Sequence, residues 1–238
     1  MKKIVIVNTK GGSGKTTLAT NLAGYFAWSG HGTCLVDYDS QGSSAHWATR
    51  RDEQLPAVQL TRAYQQNGRV TRSWALRSPP GVDRIVVDTP ARPDLALLAD
   101  LTGGASAMLV PVLPSEIDIH AASHCIGDLL LKVKVAAPQQ RIAVVANRAN
   151  ERTNSYAALK RFLDTLQIPF IATLRDTQNY VHAAAAGCCI HELKGRDISK
   201  DIGQWEPLIG WLETRPDVAG SSAAGSLPRS TGAVAGRV

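Results

Sequence analysis

Short, unbroken apolar runs recur along the chain, and stretches with helical spacing separate them. Ile4-Val5-Ile6-Val7 and Thr33-Cys34-Leu35-Val36 are two of these runs, followed by residues 82–87, 105–112, 141–146 and 169–174. Runs of this length, apolar on both faces, predict buried strands of a parallel sheet. Between them, Leu18, Leu22, Ala23 and Phe26 recur at helical intervals over 17–27. Helices are predicted likewise near 45–48, from Ser115 as N-cap to about 135, over 156–166 (Tyr156, Leu159, Phe162, Leu163, Leu166) and over 197–213. Residues 175–187 are alanine-rich and read as helix or loop. Strands alternating with helices predict an α/β fold: a doubly wound, mostly parallel sheet with helices on both faces.

Two stretches break the pattern. Residues 50–80 are weakly periodic, carry Arg50, Arg51, Arg62, Arg69, Arg72 and Arg77, and end in Ser78-Pro79-Pro80. They read as a solvated, variable segment. From 214 the chain is rich in Gly, Ser, Ala and Pro and nearly lacks large apolar residues. Such a segment buries too little surface to offset its ordering entropy. The expectation is one folded domain over 1–213 and a disordered tail over 214–238.

The chemistry sits where strands end. Lys10-Gly11-Gly12-Ser13-Gly14-Lys15-Thr16-Thr17 falls between the first strand and the first helix. Glycines there let consecutive backbone N–H groups turn inward, and the helix N-terminus adds positive potential. Lys15 then reaches the outer phosphates of a nucleotide, and the Thr16 hydroxyl is placed to ligate Mg²⁺. The second strand runs into Asp37-Tyr38-Asp39-Ser40-Gln41-Gly42-Ser43-Ser44, so two carboxylates face the ligand crevice of the predicted sheet. Ser43 also suits a helix cap. Residues 82–87 lead into Asp88-Thr89-Pro90, a β-branched strand ending in an aspartate that holds the Mg²⁺ shell. Asn147-Arg148 ends another strand, where the amide either hydrogen-bonds a purine edge or forms a plain turn. His120 and His124 lie one helical turn apart, but the glutamate of H-E-x-x-H is missing and no third ligand suggests itself. No zinc site is expected there.

The form Lys-Gly-Gly-x-Gly-Lys-Thr is a deviant Walker A motif. With Asp37/Asp39/Gln41 and Asp88-Thr89-Pro90 in order behind it, the chain resembles the ParA/MinD family of dimerising ATPases over about residues 1–212. Ser40 departs from the family, which usually has proline there. The resemblance implies ATP and Mg²⁺ as cofactors and residues 11–17 with Asn147 and Arg148 as the nucleotide site. It assigns Asp39 to the attacking water, Asp37 to support of the metal, and Lys10 to the partner's nucleotide across a homodimer interface. Pro114 and Asp118 become candidate dimer contacts. A slow ATPase switch is implied, stimulated by a cargo adaptor protein.

Charge and composition select among branches. The 238 residues carry a formal net charge of +6, with a sequence pI near 9.3. A basic balance favours polyanion partners, and the resemblance to small ParA-like ATPases implies non-specific double-stranded DNA as the partner. Arg152, Lys160, Arg161, Lys194, Arg196 and Lys200 are the candidate phosphate contacts. The four cysteines show no C-x-x-C spacing, which excludes a bridging cluster and suits a reduced compartment. No signal peptide, membrane-length apolar run or basic amphipathic end is seen. The chain starts at its first strand, so no N-terminal helix-turn-helix extension is expected. The implied reading is a small nucleoid-associated, cytoplasmic ATPase that positions a plasmid, a chromosome locus or a microcompartment, as the carboxysome-spacing branch does. A soluble P-loop ligase and a MinD-like membrane switch are the alternatives, and Lys10 argues against the ligase.

Overall fold

The computed structural model describes residues 1–65, 80–194 and 197–217. Seven parallel strands form one sheet in the order β3-β2-β4-β1-β5-β6-β7. The strands are β1 (Lys2–Ile6), β2 (Thr33–Asp37), β3 (Val58–Arg62), β4 (Arg84–Asp88), β5 (Ala107–Val112), β6 (Ile142–Ala146) and β7 (Phe170–Thr173). The helices are α1 (Lys15–Trp28), α2 (Ser43–Thr49), α3 (Leu95–Thr102), α4 (Glu116–Gly127), α5 (Pro138–Arg141), α6 (Asn154–Leu166), α7 (Gln178–Ala185) and α8 (Ser199–Glu213).

The five strands β1, β2, β4, β5 and β6 are buried along their whole length, which is why they read as continuous apolar runs. Two cores lie on the two faces of the sheet. One gathers Val5, Val36, Val87, Leu98, Met108, Val144, Leu159 and Leu163 under α3, α4 and α6. The other gathers Ile4, Leu18, Leu22, Phe26, Leu35, Leu109, Trp205 and Leu208 under α1 and α8. Each large side chain so buried contributes roughly 1.5–3 kcal/mol.

Three elements differ from the sequence-based expectation. Within 50–80, Val58–Arg62 is an edge strand paired to β2 rather than a solvated segment. Its residues are mostly half-buried and its side chains mix Val, Gln, Leu, Thr and Arg, so no apolar run announces it. Arg69, Arg72 and Arg77 lie outside the described residues. The helix begun at Ser115 changes at Asp128–Lys132 into a π-helical turn. At the other end, Thr214–Asp217 continue past α8, and the Asp217 carboxylate takes the Met1 ammonium at 3.0 Å. The rest of the expected tail, 218–238, lies outside the described residues, as does Arg196.

β1 lies between β4 and β5, so its carboxyl end opens at the point where the connections diverge to either side. Ligands of doubly wound sheets sit in that crevice. Among the described residues no helix is long and apolar enough to cross a membrane.

Candidate functional site

The loop after β1 is tied down before it turns. Asn8, fully buried, donates its amide to the Pro111 carbonyl at 2.7 Å and accepts the Lys10 N–H at 3.0 Å. Ser13 Oγ and Lys15 Nζ both donate to the Lys10 carbonyl, each at 3.2 Å. Gly14 is required at the loop's end. Its φ is 95°, and a Cβ there would lie 1.8 Å from the Asn147 amide nitrogen. α1 begins at the next residue with no side-chain cap, leaving its first N–H groups for an anion. Burial lowers the Lys15 pKa, and the Asp88 and Asp39 carboxylates partly offset this.

Asp88 ends β4 in register with Ile6 on one side and Asp37 on the other. Thr16 Oγ1 donates to Asp88 Oδ2 at 2.8 Å, while Asp88 Oδ1 is buried with no hydrogen-bond partner. Burial pushes the Asp88 pKa up to about 7, against the Thr16 hydrogen bond and the nearby Ser44 hydroxyl, which falls short of hydrogen-bond geometry. A carboxylate with one orphaned oxygen beside a threonine hydroxyl fits a hard divalent cation, so Thr16 and Asp88 are the residues that would hold Mg²⁺.

Asp37 plays a different part. Its Oδ1 accepts the Asp39 N–H and its Oδ2 the Ala45 N–H, both at 2.9 Å. These bonds hold the loop that leads into α2. Asp39 is half-buried, and its Oδ1 accepts the Gln41 N–H at 3.0 Å. Lys10, expected to reach a partner subunit, here points its ammonium at Asp118 Oδ1, 2.8 Å away on the first turn of α4. Asp118 is buried and therefore engaged within its own chain.

Asn147 serves the loop. Its Nδ2 donates to the Ser13 carbonyl at 3.0 Å and its Oδ1 accepts the Arg148 N–H. Arg148 follows with φ 48°, and its side chain is exposed between two clefts. The smaller, about 250 Å³, is lined by Thr17, Asn147, Arg148, Asp176, Thr177 and Tyr180 among others, beside the phosphate loop. The larger, about 570 Å³, brings together Arg148, Arg152, Arg175 and Lys200 with the acidic Glu151 and Asp176. Of the five candidate DNA contacts among the described residues, Arg152 and Lys200 line it. Lys160 and Arg161 stand exposed on α6 and Lys194 is exposed beyond the 3-10 turn Ile190–Glu192.

The chain matches the family model of the CobQ/CobB/MinD/ParA nucleotide binding domain over residues 4–188. It belongs to this family. Among CobQ/CobB/MinD/ParA relatives, the chain is 29% identical to the maintenance of carboxysome distribution protein A of Halothiobacillus neapolitanus over 208 residues, covering 84% of this chain and 93% of the relative. It is 32% identical to the protein of the same name from Gloeobacter kilaueensis over 196 residues, 82% of this chain and 86% of the relative. A Borrelia burgdorferi plasmid partition protein solved with AMPPNP shares the fold at a TM-score of 0.69 and 15% identity, over 89% of this chain and 98% of that one.

Two residues around this crevice were not singled out from the sequence. Asn8 is a polar residue closing an apolar strand directly before the glycine loop, and that position is a readable signal. Arg175 stands just past β7, at the carboxyl edge where the sheet presents its ligands. Its guanidinium is bonded to buried Asp201, with Nε 2.5 Å from Oδ1, which raises the Arg175 pKa.

Proposed function

We propose that this protein is an ATP-driven positioning switch. It dimerises around ATP, binds DNA without sequence preference in that state, and releases it when ATP is hydrolysed. The observation that carries the reading is the second lysine: Lys10 sits at the rim of the phosphate loop beside Lys15, with its backbone carbonyl already accepting from Lys15. A small-molecule ligase has no use for a lysine so placed, whereas a nucleotide shared between two subunits does.

The inward N–H groups of residues 11–17 and the Lys15 ammonium bind and orient the β- and γ-phosphates. Mg²⁺, when bound at Thr16 and Asp88, supplies charge neutralisation on those phosphates. Asp39 orients the water that attacks the γ-phosphorus as ADP leaves. Asp37 keeps Asp39 in place through the backbone of its loop. Catalysis of this kind is positioning plus charge stabilisation, so turnover is slow until an adaptor protein completes the site. DNA phosphates are met by the cleft of Arg148, Arg152, Arg175 and Lys200, with Lys160, Arg161 and Lys194 as further basic positions. The cargo is a carboxysome-like microcompartment, a reading supported by relatives named for carboxysome distribution.

The test is binding to random duplex DNA with ATP, ADP or no nucleotide at two salt concentrations, with Asp39→Ala used to slow turnover. ATP-dependent binding that weakens steeply with salt is expected, and Lys10→Ala should abolish both the ATP dimer and this binding. Lys10→Ala with undiminished ATP-dependent turnover and no dimer in either protein points instead to a small-molecule ligase.

A further inference from the structure

Outside the nucleotide crevice, α4 carries a pair of side chains that the proposed switch does not use. His120 and His124 stand four residues apart, so their side chains meet on one helix face. Their Nε2 atoms are 3.1 Å apart, with ring planes at 85° and centroids 4.5 Å apart. Both residues are exposed. Ile117, three residues before His120, shares this face and is 73% exposed. Nothing among the described residues covers it.

Without a metal, two neutral imidazoles so turned share one N–H···N hydrogen bond, one Nε2 carrying the proton and the other accepting it. The same arrangement suits two ligands of one metal ion. Tetrahedral coordination with metal–nitrogen bonds of 2.0–2.1 Å sets two ligand nitrogens about 3.4 Å apart. The observed 3.1 Å is within a few tenths of an ångström of that bite, so the rings need only a small opening to chelate. The missing glutamate of H-E-x-x-H removes a general base and does not alter this geometry.

We propose that His120 and His124 form a two-nitrogen site for a borderline divalent transition metal of the zinc, nickel or copper class. Imidazole nitrogen selects these ions, whereas Mg²⁺ demands oxygen ligands, so this site is separate from Thr16 and Asp88. Among the described residues no cluster of three or more His, Cys, Asp or Glu side chains is gathered to hold a metal. The site is therefore bidentate and water fills the remaining positions, which distinguishes it from a closed structural zinc site. The ion ties the second turn of α4 to the third.

The experiment is a titration of tag-free, full-length protein with zinc chloride against a chromophoric chelator, alongside His120→Gln and His124→Gln. Both positions are exposed and glutamine is a good helix former, so both variants should keep the far-ultraviolet circular dichroism of the parent. The parent should take up one zinc ion per chain more tightly than either variant, by at least about tenfold, because each substitution removes half of the chelate. The two variants should be weakened alike. Equal affinity in the parent and either variant overturns the proposal. In ¹⁵N spectra of the imidazoles, both Nε2 signals should shift on zinc addition. Shifts confined to other histidines, or to one ring of the pair, also overturn it.

Discussion

The loops that follow β2 and β4 begin from aspartates set side by side, Asp37 in register with Asp88, yet they treat a buried carboxylate in opposite ways. Asp37 gives both oxygens to backbone N–H groups of its own loop. That loop is then anchored far away: the Trp47 indole donates to the Cys188 carbonyl at 3.0 Å, and Arg51 forms a buried ion pair with Glu192. Asp88 gives one oxygen to Thr16 and leaves the other buried and unmatched. Its loop is fastened at Thr89, whose hydroxyl donates to the Ile6 carbonyl at 2.8 Å. It then runs exposed through Ala91 and Arg92, where φ is 57°, to Asp94, the cap of α3. A carboxylate that is fully hydrogen-bonded holds structure. One that is half satisfied carries a desolvation cost that a cation relieves. The difference separates a scaffold residue from a ligand, although both are aspartates at strand ends.

The largest effect expected from this contrast is at Asp88. Asp88→Asn keeps the shape and the Thr16 contact but removes the charge that a cation needs. Mg²⁺-dependent phosphate release should fall by at least about a hundredfold, while the melting temperature stays level or rises because a buried charge is gone. A clear loss of stability in this variant would break the comparison, since Asp88 would then be holding structure too. The next effect, smaller and opposite in kind, is at Asp37. Asp37→Asn leaves one backbone N–H of the loop without its carboxylate acceptor, which costs roughly 1–3 kcal/mol. Urea unfolding should show that loss. Full stability with abolished hydrolysis would instead make Asp37 a direct metal ligand.

How much of this was legible in the sequence follows from the same physics. The central strands are buried on both faces, so Ile4–Val7 and Val86–Val87 appear as unbroken apolar runs, and the glycine loop between β1 and α1 has a spacing with few other uses. β3 escaped because an edge strand half in water has no such run. The hydrogen bonds of Asp37 and Asn147 escaped because residue type and position do not say where hydrogen bonds go. Asn147 presses its amide against the place where Gly14 lacks a side chain, a contact across 133 residues of sequence. The basic cleft was half visible: Arg152 and Lys200 stood out as charges, whereas Arg175 looked like an ordinary residue after a strand. Its neighbours come from segments about 25 residues apart on either side, and only the sheet brings them together.

The smallest effect tests how the anchored loop is held. His191 lies beneath α2's anchor, next to Glu192, with its ring against Tyr25 at 4.8 Å and Trp28 at 5.7 Å between centroids. Burial pushes its pKa down to about 4, and the neighbouring Glu192 charge only partly opposes this. In the unfolded chain the same ring titrates near about 6.5. The unfolded state therefore binds the extra proton between those values. The stability that His191 lends as a neutral ring is complete above about pH 6.5 and is lost as the pH falls towards 4. The slope is at most about 1.4 kcal/mol per pH unit, and less for a ring that keeps some contact with solvent. Asp88, whose pKa is raised, gains stability as the pH falls through this same range, but it does so in both proteins and cancels in their difference. Asp201 and Asp217, whose pKa values are lowered, act at more acidic pH. Thermal melts of the parent and of His191→Gln between pH 7.5 and 4.5 should converge as the pH drops, because the variant has no proton to gain. Parallel curves would mean that the ring is not held neutral, and that the anchor of the β2 loop rests on Arg51 and Trp47 alone.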